Sequence, residues 1–229
     1  MRVVVTGTNR GIGLELVRQL VQRGDTVEAT ARNPGSATEL KGLRDRAPDC
    51  LRIHALDVSD DRSVEAFASA LGGEAIDLLI NNAGVGSFGD GLEDLDTQQV
   101  LHTFNVNAVG PLRVTRALLP NLRRGQRRCI AHLTSRMGSI ADNGSGGSYA
   151  YRMSKAALNM ASRSMAVDLA PERIISVVIH PGWVQTDMGG PGATTTPEES
   201  VRAMLRLIDG LRQEDSGKFF HTNGQLLPW

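Results

Sequence analysis

The sequence predicts an α/β fold: a single doubly wound domain with a mostly parallel seven-stranded sheet and helices on both faces. Short β-branched runs alternate with longer segments of helical period, which is typical of βαβ units. Several strands are apolar throughout, as at residues 3–5 and 78–80, so helices should cover both faces of the sheet. A chain of 229 residues is long enough to bury such a core.

The individual elements follow from hydrophobic periodicity and from the turn residues between the runs. We predict strands at residues 2–6, 26–30, 51–57, 76–81, 129–133, 174–180 and 218–221. Helical spacing of apolar residues predicts helices at residues 11–23, 36–46, 60–71, 97–122, 150–170 and 197–211. No Pro-, Gly- and Ser-rich linker is long enough to separate two domains, so we expect residues 1–229 to form one.

The composition argues against several kinds of partner. The 25 basic and 25 acidic residues cancel, so no net charge attracts the chain to nucleic acid or to an acidic membrane, and we expect neither as a partner. Cys50 and Cys129 are too few for a secreted disulfide scaffold. Since the N-terminus lacks the apolar core of a secretion signal, we expect a cytoplasmic protein.

A glycine-rich run follows the first strand and opens the first helix. Its glycines at positions 7, 11 and 13 permit a tight turn and a close approach of the backbone to a pyrophosphate, which the helix N-terminus then stabilises. The spacing is GxxxGxG rather than GxGxxG, and an ordinary strand-to-helix turn is the alternative. The candidate cofactor contacts here are Gly7, Asn9, Arg10, Gly11, Ile12 and Gly13.

Two polar motifs follow the third and fourth strands. Asp57 and Val58 end the third strand, and Asn81 begins an Asn-Asn-Ala-Gly sequence that includes Ala83 and Gly84. Ligands of open α/β sheets bind at the carboxyl ends of strands. Asp57 can accept a hydrogen bond from an adenine amino group, and the small residues leave room for a cofactor. A turn-forming or helix-capping aspartate and a plain polar loop are the alternatives.

Tyr151 and Lys155 lie one helical turn apart, which places them on the same face of a predicted helix. A nearby ammonium favours phenolate and should lower the pKa of Tyr151, as proton exchange near neutral pH requires. Lys155 is one of only three lysines among 25 basic residues. A surface pair without function is the alternative. Tyr149 has Met153 four residues on and lacks such a partner.

Two more polar residues are candidates for the same site. Ser135 ends the fifth strand, where its hydroxyl can hold a substrate carbonyl near the phenol; Thr134 is the alternative, because alternation lets only one of them face the site. Asn107 lies inside a predicted helix beside a Gly-Pro pair and is a poor helix former. It indicates a local irregularity that can hold a water for proton relay.

Together these motifs resemble the short-chain dehydrogenase/reductase family, whose members have a Rossmann fold. The resemblance covers practically the whole chain, because the motifs above stand in the family's order and are followed by Pro-Gly-Trp-Val-Gln-Thr at residues 181–186. Residues 135–140, 217–220 and 224–229 look most like the branch that holds C-factor-like proteins and sniffer-type carbonyl reductases.

The resemblance implies a role for each motif. Tyr151 would be the catalytic acid/base, Lys155 would lower its pKa and bind the nicotinamide ribose, Ser135 would orient the substrate, and Asn107 would anchor a relay water. The 181–186 run would contact the nicotinamide and its carboxamide. Its candidate contacts are Pro181, Gly182, Val184 and Thr186.

This chain departs from the family pattern at two positions and in one interval. His132 and Thr134 stand where the family often has Asn and Ser, and neither change removes the catalytic hydroxyl. The interval from Ser135 to Tyr151 is a little longer than the commonest family spacing. We assign the extra residues to a glycine-rich bulge at residues 143–148, which should alter the mouth of the site and not its chemistry.

The position after the second strand sets the choice of dinucleotide. Arg32 stands there with no acid, and Arg10 in the glycine-rich run adds a second cation. Arginine binds phosphate well through its planar fork. We therefore expect NADP(H) to be preferred over NAD(H), with hydride transfer between the nicotinamide and a small carbonyl compound or its alcohol.

Residues 182–199 are rich in Gly, Thr and Pro and should form a mobile flap over the substrate. No charged side chain lies between Asp187 and Glu198, which favours an uncharged carbonyl compound. Two other functions are alternatives. One is a C-factor-like signalling protein that binds NAD(P) with incidental turnover. The other is a 3-oxoacyl carrier-protein reductase, for which the arginine-rich run at residues 123–128 would be the docking face; such a run is more commonly a solvated connection.

The long predicted helices at residues 97–122 and 150–170 bear on the oligomeric state. They are apolar enough for the two-fold helix bundle of a homodimer or homotetramer, as the family often uses. The same apolar faces can also simply cover the sheet.

Overall fold

A computed structural model describes all residues from Met1 to Trp229. The strands are β1 (Arg2–Val5), β2 (Thr26–Ala31), β3 (Leu51–Ala55), β4 (Leu78–Asn81), β5 (Cys129–Leu133), β6 (Ile175–His180) and β7 (Phe219–His221). The helices are α1 (Gly11–Gln22), α2 (Thr38–Arg46), α3 (Asp61–Leu71), α4 (Thr97–Phe104), α5 (Gly110–Arg124), α6 (Tyr149–Asp168) and α7 (Pro197–Gly210). No helix combines the length and the apolar character needed to cross a bilayer.

The seven strands form one sheet in the order β3-β2-β1-β4-β5-β6-β7, and every pairing is parallel. The predicted α/β doubly wound fold is therefore confirmed. The chain returns from the β3 edge to place β4 beside β1, so the direction of strand order reverses there. Open α/β sheets bind ligands at the carboxyl ends of the strands beside such a reversal.

Two apolar layers cover the sheet, as the uninterrupted apolar strands predict. Val3 and Val5 of β1 pack into a layer that includes Leu16 of α1 and Ile208 of α7. Val4, which points to the opposite face, packs into a second layer that includes residues of α3 and α5. Successive side chains of a strand point to opposite faces, so an apolar strand is buried on both sides.

The predicted helix at residues 97–122 is interrupted. The chain runs from α4 through a π-helical segment, Asn105–Val109, into α5. This segment is the irregularity predicted at Asn107. Pro111 follows directly, as the second residue of α5, and has no N–H to donate to the preceding helical backbone. Short π-helical segments inside helices are frequent at functional sites.

Candidate active site

A cleft of about 1030 Å³ opens at the carboxyl ends of the strands. Fifteen of the eighteen cofactor contacts predicted from the sequence line it, and they come from segments far apart in the chain that meet at this edge. The predicted residues that line it are Gly7, Asn9, Arg10, Gly11, Ile12, Gly13, Arg32, Asp57, Val58, Ala83, Gly84, Tyr151, Lys155, Pro181 and Thr186.

The glycine-rich turn is packed too tightly for side chains. Gly7 and Gly11 have φ of +69° and +55°, in the left-handed region that glycine favours. A Cβ on Gly7 would lie 2.8 Å from Cα of Ala83, and a Cβ on Gly13 would overlap the carbonyl oxygen of Gly7. Helix α1 has neither a capping side chain nor an acid in its first turn, so its free N–H groups suit a pyrophosphate.

Asn82 ties this turn to the end of β4. Its Nδ2 donates to the carbonyl oxygens of Thr6 and Gly7, each at 2.8 Å, while Thr6 Oγ1 accepts from the backbone N–H of Asn82 and of Ala83. We did not predict Asn82 as a site residue from the sequence. Its place in the Asn-Asn-Ala-Gly motif was the available signal, but only the fold shows which of the two asparagines faces the turn.

Asn81, the other asparagine, is directed away from the cleft. Its side chain is buried and its Nδ2 lies 3.3 Å from Thr115 Oγ1 and 3.2 Å from Nδ1 of His132. Burial lowers the pKa of His132 to about 3, so this ring is neutral at physiological pH. Asn81 is therefore part of the core between β4, β5 and α5, and its predicted cofactor contact is not brought to the cleft.

Gly182 and Val184 also do not line the cleft. Val184 is buried and its strand-like backbone bridges to Thr195. Gln185 N–H donates to the Thr195 carbonyl at 2.9 Å, and Thr195 N–H donates to the Trp183 carbonyl at 3.1 Å. The beginning and the end of the predicted flap are thus joined by backbone hydrogen bonds.

Tyr151 and Lys155 are brought together in the interior, on α6. Lys155 Nζ lies 5.7 Å from the centroid of the Tyr151 ring and donates to the Leu133 carbonyl at 2.9 Å. Burial raises the pKa of Tyr151 to about 12, although a hydrogen bond with Ser135 acts in the opposite direction. Burial lowers the pKa of Lys155 to about 8. The expected lowering of the tyrosine pKa is therefore wrong, because desolvation outweighs the opposing contribution of Ser135.

Ser135 and Thr134 point in different directions, as strand alternation predicts. Thr134 Oγ1 donates to Oδ1 of Asn159 at 2.6 Å inside the core, which commits that hydroxyl to α6. Ser135, by contrast, lies close enough to Tyr151 to act on the pKa of its phenol, and its hydroxyl accepts from the N–H of Met137 at 3.2 Å. The geometry favours Ser135 over Thr134 as the hydroxyl beside the phenol.

Asn107 connects three parts of the site. It is fully buried, its Oδ1 accepts from the Val85 N–H at 2.8 Å, and its Nδ2 donates to the Val85 carbonyl at 2.9 Å and to Ser154 Oγ at 3.1 Å. The π-helical segment, the loop after β4 and helix α6 are thereby held together. The relay water implied by the resemblance stays a prediction.

The far end of the cleft carries the two predicted arginines. Arg32 is exposed and lies near Asp57. Burial raises the pKa of Asp57, but hydrogen bonds from Ser59 and the charge of Arg32 hold it below its usual range. Because Asp57 Oδ1 accepts from the Ser59 N–H at 2.9 Å, the turn-forming role is realised and the adenine contact stays a prediction. Arg10 is also exposed and pairs with Asp187, which sequence reasoning missed as a site residue.

Apolar side chains frame the mouth of the cleft. The Phe88 ring lies 4.8 Å from the Tyr151 ring, and a Cβ on Gly86 would come within 2.6 Å of Phe88 and 3.1 Å of Met188. The bulge at 143–148 is bonded to the loop that carries Phe88, since the Ser148 N–H donates to the Asp90 carbonyl at 2.9 Å. Neither Phe88 nor Met188 was predicted, because no local pattern distinguishes them from other loop residues.

Comparison with known proteins agrees with this arrangement. Residues 1–196 match the family model described as short chain dehydrogenase. The "C-signal" of Myxococcus xanthus is 58% identical over 166 residues, which cover 72% of this chain and 100% of that protein. The NADPH-bound carbonyl reductase from chicken fatty liver superposes with a TM-score of 0.94 at 35% identity, covering 100% of this chain and 98% of that one. Carbonyl reductase Sniffer of D. melanogaster gives a TM-score of 0.94 at 32% identity, with coverage of 100% and 99%.

Proposed function

This chain belongs to the short-chain dehydrogenase/reductase family and is an oxidoreductase of its C-factor and sniffer branch, and we propose that it reduces an uncharged carbonyl compound to the alcohol with NADPH. The observation that carries the proposal is the buried Tyr151, whose raised pKa of about 12 keeps the phenol protonated at neutral pH. A protonated phenol next to a cleft is a proton donor, which is what carbonyl reduction needs.

The residues of the cleft fit a dinucleotide. The glycine turn leaves no room for a Cβ at Gly7 or Gly13, and the uncapped N-terminus of α1 faces the same opening. Gly84 is a third narrow point, because a Cβ there would lie 3.1 Å from Oδ1 of Asn107. When bound, NADPH would supply the hydride for the carbonyl carbon.

The chain's own residues would handle the proton. Tyr151 would donate it from its phenol oxygen to the developing alkoxide, while Ser135 would hold the carbonyl oxygen next to that phenol. Lys155, fixed by the Leu133 carbonyl, would stabilise the phenolate that remains and bind the nicotinamide ribose. Asn107 would hold the loop after β4 against α6 and anchor the relay water through the π-helical segment.

A screen for NADPH oxidation tests this function. It should include aldehydes, ketones, quinones and thioester-linked 3-oxoacids, and we expect turnover of uncharged carbonyl compounds. Tyr151→Phe should lower kcat by about 10²- to 10⁴-fold without preventing cofactor binding. Tyr149→Phe is the matched control, since it removes a phenol from the same helical turn that has no lysine partner. Equal activity of both variants would contradict the assignment.

The preference for NADP(H) rests on charge. Arg10 and Arg32 line the cleft beyond the glycine turn, and no acid stands beside Arg32 in the sequence to bind a ribose 2′-hydroxyl. Isothermal titration with both cofactors tests the preference. Tighter binding of NADH would overturn it. Arg32→Gln should weaken the binding of NADPH and leave the affinity for NADH unchanged.

A signalling function is the second candidate, favoured by the 58% identity to the "C-signal". If catalysis is incidental to it, Tyr151→Phe would keep the biological effect while turnover is lost. The carrier-protein alternative has less support. Arg127 donates to the carbonyl oxygens of Ile208, Asp209 and Leu211, and Arg123 pairs with Glu172, so this run is largely occupied by internal contacts.

We also propose a cytoplasmic homodimer or homotetramer. Both cysteines are free thiols, which suits a reducing compartment. Met153, Met160 and Val167 are exposed at seven-residue intervals along α6, which gives a stripe suitable for a helix bundle. Analytical ultracentrifugation of the wild type and of Met160→Glu would test the assembly; a monomeric wild type would exclude it.

A further inference from the structure

One ion pair joins the two walls of the cleft. Arg10 Nη1 in the glycine-rich run lies 2.6 Å from Oδ2 of Asp187, which follows the Pro-Gly-Trp-Val-Gln-Thr run. A second contact lies next to it: a Cβ on Gly11 would come to 3.3 Å from Cγ2 of Thr186. The glycine turn and the segment of residues 182–196, here termed the covering segment, therefore approach each other closely.

Asp187 is the covering segment's link to the opposite wall. The other side-chain hydrogen bonds of the segment stay within residues 182–199, such as Trp183 Nε1 to the Gly189 carbonyl at 2.7 Å and Gln185 Nε2 to the Ala193 carbonyl at 3.0 Å. Neither Arg10 nor Asp187 has another side-chain hydrogen-bond partner. The segment thus keeps its own fold if this pair breaks, but it loses its only polar tie to the glycine turn.

Two anions can bind the Arg10 guanidinium: the Asp187 carboxylate and the expected 2′-phosphate of the cofactor. Its guanidinium is the second cation expected to bind the 2′-phosphate of NADP(H), and a phosphate monoester carries close to two negative charges at neutral pH. A carboxylate paired with the same guanidinium offsets part of its positive charge and repels the phosphate. Arg32 is not in an ion pair, so the competition concerns Arg10.

We propose that Asp187 is a specificity-determining residue that competes with the cofactor's 2′-phosphate for Arg10. Binding of NADP(H) then draws Arg10 away and frees the covering segment, whereas NAD(H), which lacks the phosphate, leaves the Arg10–Asp187 tie intact. The inference rests on the proposed function, since it requires a 2′-phosphate next to Arg10. It makes the covering segment sensitive to which cofactor is bound.

Cofactor affinities in a double-mutant cycle test the competition. Dissociation constants for NADPH and NADH are measured on the wild type, Asp187→Asn, Arg10→Gln and the double variant. We expect Asp187→Asn to lower the dissociation constant of NADPH by about two- to fivefold, which corresponds to the free energy of an exposed ion pair. The dissociation constant of NADH should stay unchanged. In the Arg10→Gln background the same substitution should have no effect on NADPH.

Asp209→Asn is the matched control, because it removes the same charge from an exposed pair with Arg23 that lies outside the cleft. It should change neither affinity. A general charge effect would instead appear in both variants.

Backbone amide exchange at residues 186–190 gives a second readout that does not depend on activity. NADP⁺ should accelerate exchange there relative to NAD⁺ in the wild type, and Asp187→Asn should exchange fast with either cofactor. The proposed competition would be overturned if Asp187→Asn weakened the binding of NADPH or changed the affinity for both cofactors equally. If the wild type shows no preference for NADPH, the cofactor proposal fails and this inference fails with it.

Discussion

Glu28 and Lys155 are both buried charges, yet their surroundings differ. The Glu28 side chain, in the middle of β2, is fully buried and is met by Arg2 at 2.9 Å, Arg52 at 3.2 Å and His54 at 2.7 Å. Lys155 is buried on α6 with no carboxylate in hydrogen-bond or ion-pair contact, and its ammonium has the Leu133 carbonyl at 2.9 Å.

The difference appears in how burial acts on each pKa. Burial raises the pKa of Glu28, but the hydrogen bond and charge of His54 and the charges of Arg52 and Arg2 hold it below its usual range. At Lys155 nothing opposes burial, and the pKa falls to about 8. A buried charge that has ion-pair partners has a structural role. A buried charge without such partners, whose pKa lies near physiological pH, indicates a functional site.

Replacing Lys155 should have the largest effect on the reaction. Lys155→Met should lower kcat by about 10²-fold or more, because the phenolate left by proton transfer loses its cation. The melting temperature should stay the same or rise, since an unpaired buried charge is removed. Kinetics and thermal unfolding of the same sample check this, and a large loss of stability would show that Lys155 is structural.

Glu28→Gln should give the opposite result. Removing the charge leaves Arg2 with only the exposed Glu74 as an acidic partner and leaves the partly buried His54 with none, so unfolding should become easier by about 3–5 kcal/mol. We expect kcat at low temperature to be retained, because Glu28 lies outside the cleft. Chemical denaturation gives the stability, and a parallel loss of kcat would break the distinction between the two charges.

The same carboxylate should contribute to stability at low pH. Its pKa is lowered in the folded protein, so its stabilisation is complete above the pKa of the unfolded chain and is lost as the pH falls through the folded value. The unfolding free energy of the wild type should therefore fall below about pH 4 more steeply than that of Glu28→Gln. Identical slopes would mean that Glu28 does not titrate with folding.

The rate of reduction should depend on the protonation of Lys155. With a pKa of about 8, the ammonium is lost as the pH rises through that value, so kcat should fall above pH 8 by up to tenfold per unit. Lys155→Arg keeps its charge and should have a lower rate with a flat profile in this range. A wild-type profile that stays flat to pH 10 would contradict the assignment.

The smallest effect on stability is expected from the two arginines that pair with Glu28. The Arg52 side chain is 57% exposed, whereas that of Arg2 is 22% exposed. Arg52→Gln should therefore cost less than about 1 kcal/mol and Arg2→Gln more. Denaturant midpoints of the two variants settle the order, and the reverse order would show that exposure does not control these contacts.

Local signals were enough for most of the fold and for the centre of the site. Hydrophobic periodicity predicted all seven strands, and the four-residue spacing of Tyr151 and Lys155 predicted their shared helix face, because both depend on backbone geometry alone. Boundaries were less accurate: β3 ends at Ala55 because Asp57 turns the chain, donating its N–H to Ser63 Oγ. That contact depends on the following helix.

The sequence by itself determined the doubly wound fold, the glycine turn and the Tyr151–Lys155 pair, since each is encoded by neighbouring residues. Only the tertiary structure decided the direction of the Tyr151 pKa shift, the rotation of Asn81 into the core and the pairing of Arg10 with Asp187. Desolvation and ion pairing depend on which distant segments exclude water or meet, and periodicity along the chain carries no information about that.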